Sequence, residues 1–215
     1  MFKGKKLSIL GDSISTYKGV SNDKRANKTT EDNPYYYRPA FEQKDTYWQK
    51  ILDDFGMTLC VNNSWSGGNL SGTYDPSSGV NRSSELARDD GEIPDFIIVF
   101  MGINDVGRGI DSAVFEMSYK QTIATVKEKY PLAQVCCVNL PDRDIFLKTR
   151  TIIYNNIIKE AVLEAGENFF IADLFGSRLN NDFYYNNTID GLHPDRDGMR
   201  IIAEIIEDAM KENVK

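Results

Sequence analysis

The sequence contains one histidine, His193, among 215 residues. Chemistry that needs two imidazoles is thereby excluded, including the paired histidines of a helical H-x-x-x-H zinc site. Cysteine is nearly as scarce. Cys60, Cys136 and Cys137 are too few for a disulfide framework and show no C-x-x-C spacing. They read as buried thiols acting as small hydrophobes. Basic charge is in the minority, 25 Lys and Arg against 32 Asp and Glu, for a formal net charge of −7. Duplex-binding proteins present a basic face, so nucleic acid is not an expected partner. No apolar run approaches the ~18 residues of a membrane-spanning helix. The apolar stretch nearest the start, Leu7 to Leu10, is shorter than the core of a signal peptide. The expectation is a soluble, cytoplasmic protein with no membrane span.

What remains is ordinary globular composition, 41% hydrophobic and 27% charged. A chain of this length buries most of its surface and needs no metal or disulfide to hold a core. Residues 1–215 read as a single domain.

Short apolar runs alternate with helical patterns. Leu7 to Leu10, Met57 to Asn62, Asp95 to Met101, Ala133 to Leu140 and Phe169 to Leu174 read as strands. Between them, Tyr47, Trp48, Ile51, Leu52 and Phe55 fall at helix spacing and stop at Gly56. Phe115, Tyr119, Ile123, Val126 and Tyr130 form a second stripe, with Asp111 or Ser112 as cap and Pro131 as stop. Ile153, Ile157, Ala161 and Ala165 form a third, and a last helix opens at Pro194 and Asp195. The pattern is β-α repeated five times. Nearly continuous apolar strands imply a parallel sheet covered on both faces, an α/β doubly wound sandwich. Two long polar segments interrupt it, Lys18 to Lys44 and Gly67 to Glu92. Loops of that length in a compact domain are functional or mobile.

Ligands in such sheets bind outside the carboxyl ends of the strands. The residues following the strands are Gly11-Asp12-Ser13-Ile14, Asn62 to Gly68, Gly102-Ile103-Asn104-Asp105, Pro141-Asp142-Arg143-Asp144 and Asp190-Gly191-Leu192-His193. A serine hydroxyl is a weak nucleophile that needs an adjacent base, and His193 is the one imidazole available. Asp190, three residues earlier, can fix its tautomer and stabilise the imidazolium. Acyl transfer also needs donors placed where negative charge develops. The N–H groups of Ser13 and Gly67 and the side-chain amide of Asn104 are candidates.

This set resembles the SGNH hydrolases, also called the GDSL esterase family. The four blocks that carry the resemblance are Gly11-Asp12-Ser13-Ile14, Ser66-Gly67, Gly102-Ile103-Asn104-Asp105 and Asp190-Gly191-Leu192-His193. The resemblance implies Ser13 as nucleophile, Gly67 and Asn104 completing the oxyanion hole, and Asp190 and His193 finishing the triad. It implies a flavodoxin-like three-layer α/β/α sandwich with a five-stranded parallel sheet of order 2-1-3-4-5, and no cofactor or metal. The chain departs from the family in two places. Ile14 replaces the leucine of the family name. Ser64 and Gly68 stand where many members have glycine and aspartate. Gly67 is preferred to Gly68 as donor because Trp65-Ser66-Gly67 matches the family's apolar-Ser-Gly run. The implied order separates Cys60 from Cys136 by three strand spacings, roughly 14 Å. A disulfide needs Cα atoms within about 7 Å, so no internal bridge is expected.

Asp12 and Asp105 read as hydrogen-bonding residues that shape their turns. Trp65 either stacks on a sugar face or packs beside the second strand. Tyr36, within Tyr35-Tyr36-Tyr37-Arg38, either roofs the pocket and meets substrate or belongs to an ordinary surface loop. Arg143 either binds a substrate anion or sits solvated or salt-bridged. The strand exits are polar and aromatic, whereas a long acyl chain prefers an apolar groove. The reading is therefore an esterase for small acyl groups, acetyl above all, on a polar alcohol such as a sugar. The rivals are a lysophospholipase or acyl-thioesterase, and a non-catalytic module whose Ser66 to Gly72 stretch cradles phosphate.

Overall fold

The structure, a computed structural model, describes residues 1–21, 35–176 and 186–214. Five strands form one sheet: β1 (Lys6–Gly11), β2 (Thr58–Ser64), β3 (Phe96–Phe100), β4 (Gln134–Val138) and β5 (Phe169–Ala172). Their order is β2-β1-β3-β4-β5 and every pairing is parallel. Each of the five expected strands is present, with ends shifted by a few residues. Ser64 rather than Asn62 ends β2, because Gly11 and Ser64 still pair across the ladder.

Helices cover both faces. The chain forms α1 (Tyr47–Phe55), α2 (Gly79–Arg82), α3 (Ile103–Arg108), α4 (Ser112–Lys129), α5 (Lys148–Ala165) and α6 (Arg196–Asn213). On one side α1 packs with α6, and on the other α4 packs with α5. The result is the expected three-layer α/β/α sandwich. Side-chain oxygens take up the unpaired first-turn N–H groups of three helices. Thr46 caps α1, Asp111 caps α4, and Asp195 caps α6 by accepting from Gly198 at 2.9 Å.

The β2 to β3 connection is the long polar segment that interrupts the sequence pattern, and it carries only the single turn of α2. It is ordered by polar bonds. The Asn63 amide donates to the carbonyls of Arg82 and Glu85, and Arg82 donates to Ser77. In α5 one member of the expected stripe lies outside the core. Ile153 is 45% exposed, while Tyr154, Ile157, Ile158, Ala161 and Val162 face the core.

The core is built from the strands and the inner helix faces, with Trp48, Tyr47, Tyr119, Phe100 and Phe115 fully buried. Polar tips around Ser15 are paired. Trp48 Nε1 donates to the Ser15 carbonyl at 3.0 Å, and the Tyr47 hydroxyl meets Ser15 Oγ at 2.8 Å. Those bonds anchor the turn that leaves β1 to the deepest part of the core. Cys60, Cys136 and Cys137 are buried free thiols. No helix among the described residues is long and apolar enough to cross a membrane.

Candidate active site

The chain leaves β1 into a tight turn rather than directly into a helix. Asp12 shapes it: its carboxylate accepts the Ile14 N–H at 3.0 Å and its carbonyl accepts the Ser15 N–H. Asp12 is 1% exposed. Burial pushes its carboxyl up to about 7, against the hydrogen bond from Ile14 and the charges of Arg82 and Arg38. The Ser13 carbonyl accepts from Thr16 Oγ1 at 2.9 Å and from the Arg38 guanidinium at 2.9 Å. From the β2 exit, Asn62 Nδ2 donates to the Ser15 carbonyl at 2.9 Å. Every side of the turn is therefore tied down, and Ser13 Oγ projects from it.

The hydroxyl meets the lone imidazole. His193 Nε2 lies 2.9 Å from Ser13 Oγ, and His193 Nδ1 lies 2.8 Å from Asp190 Oδ2. The Asp-x-x-His spacing works because Asp190 folds its own turn. One carboxylate oxygen, Oδ1, accepts the N–H groups of Leu192 and His193 at 3.0 and 2.8 Å. The other, Oδ2, is left to face the ring. Ile189 donates to the His193 carbonyl at 2.8 Å and closes the turn. Burial alone raises the Asp190 pKa, but the donors from His193, Tyr36 and Leu192 outweigh it and hold the carboxyl far below its usual range. An ionised Asp190 fixes the proton on Nδ1 and leaves Nε2 as the acceptor facing Ser13. Burial lowers the His193 pKa, aided by Arg38 and Arg143 and opposed by Asp190.

The candidate donors for an oxyanion share this edge. Gly102 lies between β3 and α3 at φ 121°, where a Cβ would press on the Phe115 ring at 3.1 Å. That sharp reversal puts Asn104 in the first turn of α3. Asn104 Nδ2 donates to the Gly68 carbonyl at 3.0 Å and lies 3.5 Å from Asp12 Oδ2. Asp105, next in sequence, binds the other end of the same loop. Its carboxylate accepts the N–H groups of Leu70 and Ser71 at 2.7 and 3.0 Å, and the Ser71 hydroxyl as well. Two adjacent side chains of α3 thus hold residues 68 to 71, and both aspartates shape their turns. No hydrogen bond among the described residues uses the Gly67 or Ser13 N–H.

Other expected residues sit as follows. Trp65 is partly exposed and lies outside the core cluster. Arg143 is partly buried near Gly107, makes no ion pair among the described residues, and acts on His193 through its charge. Arg108 stands over Gly67 and donates to Asn69 Oδ1 at 2.7 Å. Tyr36, expected to meet substrate, meets the triad candidates instead: its hydroxyl donates to Asp190 Oδ2 and its ring stacks on His193. Residues 22–34 of the first long loop lie outside the described residues.

Arg82, and the grip of Arg38 on the Ser13 turn, escaped the sequence reading. Arg38 is 5% exposed and binds the carbonyls of Ser13, Ile14 and Thr16. Arg82 is equally buried and donates to the carbonyls of Gly11 and Asn63. Long-range clamps of this kind have no periodicity to betray them. Within the glycine-rich stretch, the N–H groups of Gly68, Leu70 and Ser71 are taken by Trp65 and Asp105 and so are not free to cradle phosphate.

Comparison with known proteins gives a consistent result. The family model described as GDSL-like lipase/acylhydrolase matches residues 5–210. No curated protein matches the chain. A crystal structure of a GDSL-like lipase from Bacteroides ovatus aligns over 98% of this chain and 99% of its own, at 22% identity and a TM-score of 0.75. The esterase EstA of Pseudoalteromonas, inhibited there by monoethylphosphonate, aligns over 97% of each chain at 14% identity and a TM-score of 0.65. A family two carbohydrate esterase of Clostridium thermocellum, in complex with cellohexaose, covers 97% of this chain and is itself covered over 64%, at 17% identity and a TM-score of 0.70. At these identities the likeness to the three structures is one of fold.

Proposed function

This chain belongs to the GDSL-like lipase/acylhydrolase family and is a hydrolase acting on ester bonds, and from that premise we propose that it removes small acyl groups, acetyl above all, from polar alcohols such as sugars. The observation that carries the mechanism is the 2.9 Å contact between Ser13 Oγ and the only imidazole in the chain. Ser13 Oγ attacks the ester carbonyl carbon while His193 Nε2 takes its proton. Asp190 holds Nδ1–H and balances the imidazolium. The carbonyl oxygen becomes an oxyanion that receives the N–H groups of Ser13 and Gly67 and an amide hydrogen of Asn104. The amide hydrogen facing Asp12 at 3.5 Å is weakly held, so an arriving oxyanion gains it at little cost.

Collapse of the intermediate breaks the C–O bond to the alcohol, which leaves with the proton from Nε2. Water then attacks the acyl-Ser13 carbonyl and gives a proton to His193. The acid departs, and the proton returns to Ser13 Oγ. No metal or cofactor enters this sequence.

The surroundings favour a polar alcohol. Trp65 offers a partly exposed ring suited to a sugar face, and Asn69, Arg108 and Arg143 stand near the same edge. Arg143 suits an anionic substituent on that alcohol. The cellohexaose complex of the Clostridium thermocellum esterase supports the carbohydrate reading.

A serine-directed phosphonate is expected to label the wild-type protein once per chain and to leave Ser13→Ala unlabelled. Short-chain aryl esters are expected to turn over faster than long ones. A clear preference for eight carbons or more would replace this reading with the lysophospholipase or thioesterase alternative.

A further inference from the structure

Tyr36 lies within residues 35–38, which have no regular secondary structure, yet it contacts two of the three candidate triad residues and is bonded to the turn that carries the third. Its hydroxyl donates to Asp190 Oδ2 at 2.8 Å, across 154 residues of sequence. Its ring lies on the His193 imidazole with centroids 3.4 Å apart and planes 11° from parallel. The Arg38 guanidinium lies 5.0 Å from the ring centroid. At the backbone, the Tyr36 N–H donates to Thr16 Oγ1 at 2.9 Å, and Thr16 Oγ1 donates to the Ser13 carbonyl at 2.9 Å. One residue is thus bonded at one end to the turn bearing the nucleophile and at the other to the acid.

We propose that Tyr36 is a positioning residue for the hydrolytic reaction, holding the imidazole of His193 and the carboxylate of Asp190 in register with Ser13. The proposal rests on the reading that these three residues carry the hydrolysis.

The two parts of the side chain do different work. Asp190 is 40% exposed at its side chain, whereas His193 is 8% exposed as a residue. The tyrosine ring supplies cover for an imidazole whose acid partner is open to water. The hydroxyl gives Oδ2 a second donor, so its direction toward Nδ1 does not depend on a mobile water. That hydroxyl also draws charge from the carboxylate and weakens its pull on the imidazolium. Loss of the hydroxyl, or of the ring, therefore makes His193 more basic. The other charged groups acting on His193 are Asp190, Arg38 and Arg143; all three remain in the variants below.

The test is a pair of variants assayed on several esters across pH. Tyr36→Phe keeps the ring and loses the hydroxyl. It is expected to lower kcat by about tenfold, the scale of one charge-assisted hydrogen bond, by the same factor on every ester and with KM unchanged. The acid limb of its kcat/KM profile is expected to move to higher pH. Tyr36→Leu loses ring and hydroxyl together and is expected to move the limb further, with a larger loss of kcat. A Tyr36→Phe profile that superimposes on wild type, with only KM raised and by amounts that vary with the alcohol, would make Tyr36 a substrate contact and overturn the proposal. That result counts against Tyr36 alone where Ser13→Ala is inactive. Hydrolysis surviving in Ser13→Ala would overturn the functional reading and this proposal together.

Discussion

The guanidinium of Arg38 donates to the carbonyl of Ser13 at 2.9 Å, although 25 residues separate them. The same side chain reaches the carbonyls of Ile14 and Thr16 at 3.3 Å and lies over the rings of Tyr36 and Phe41. A planar, forked cation satisfies three carbonyls of one turn and stacks on aromatic faces at once. It is bonded to the Ser13 turn, while Tyr36 is bonded to Asp190 and stacked on His193.

An ammonium group cannot reproduce that fork. Arg38→Lys is expected to cost roughly 2–3 kcal/mol of stability, the scale of hydrogen bonds to a charged group in a buried setting. Chemical denaturation measures it. A loss within ~0.5 kcal/mol, the range of ordinary surface substitutions, would show that the turn holds its shape unaided.

Asn104→Ala removes the side-chain donor proposed for the oxyanion. Its kcat is expected to fall by about 10²–10³ with little change in KM. Because Asn104 also binds the Gly68 carbonyl, melting temperature should be recorded alongside. A kcat loss below about threefold would remove the amide from the oxyanion hole.

The base must be neutral to act, and burial depresses the His193 pKa. Activity is therefore expected to persist as pH falls to the ordinary histidine value of about 6.5 and to fail below it. The kcat/KM profile reports this for the free enzyme. Arg143→Gln deletes one positive charge that disfavours the imidazolium, so its acid limb is expected at higher pH than wild type. A midpoint above about 7 in the wild-type protein would contradict the burial argument.

Asp12 carries the opposite sign in stability. Its folded pKa of about 7 lies above the ordinary 3.8. Between those values the folded chain binds more protons than the unfolded one, so this group's contribution to stability falls as pH rises through the window. Asp12→Asn is neutral throughout. Between about pH 5 and about pH 8 the variant is expected to lose less melting temperature than wild type. Equal losses would place the titration elsewhere.

The sheet and the four motif blocks were legible because both depend on local pattern. Apolar runs mark strands, and strand exits on one edge of a parallel sheet must converge, so Ser13, Asn104 and His193 could be set near one another before any coordinates. Of the expected α5 stripe, Ile153 alone falls outside the core, for a geometric reason. Ile153, Ile157, Ala161 and Ala165 are four apart, and each such step advances 400° around a helix of 3.6 residues per turn. The line drifts about 40° per step, and its first member ends at the surface. The β2 to β3 connection was legible as a long polar segment, but the bonds from Asn63, Arg82 and Asp105 that order it have no apolar period to announce them. The run from Tyr35 to Arg38 marks a candidate pocket roof. The grip of Tyr36 and Arg38 on His193, Asp190 and Ser13 is a long-range contact, which composition and periodicity do not encode.

The bond from Ser13 to His193 spans 180 residues. Contacts between such distant parts of a chain form late, because the intervening loop must be ordered before they can be gained. During refolding, helix content should return well ahead of hydrolysis. Turnover by this site is then a reporter of the last long-range closure, and an ester present during folding meets an inert serine until the final turn docks.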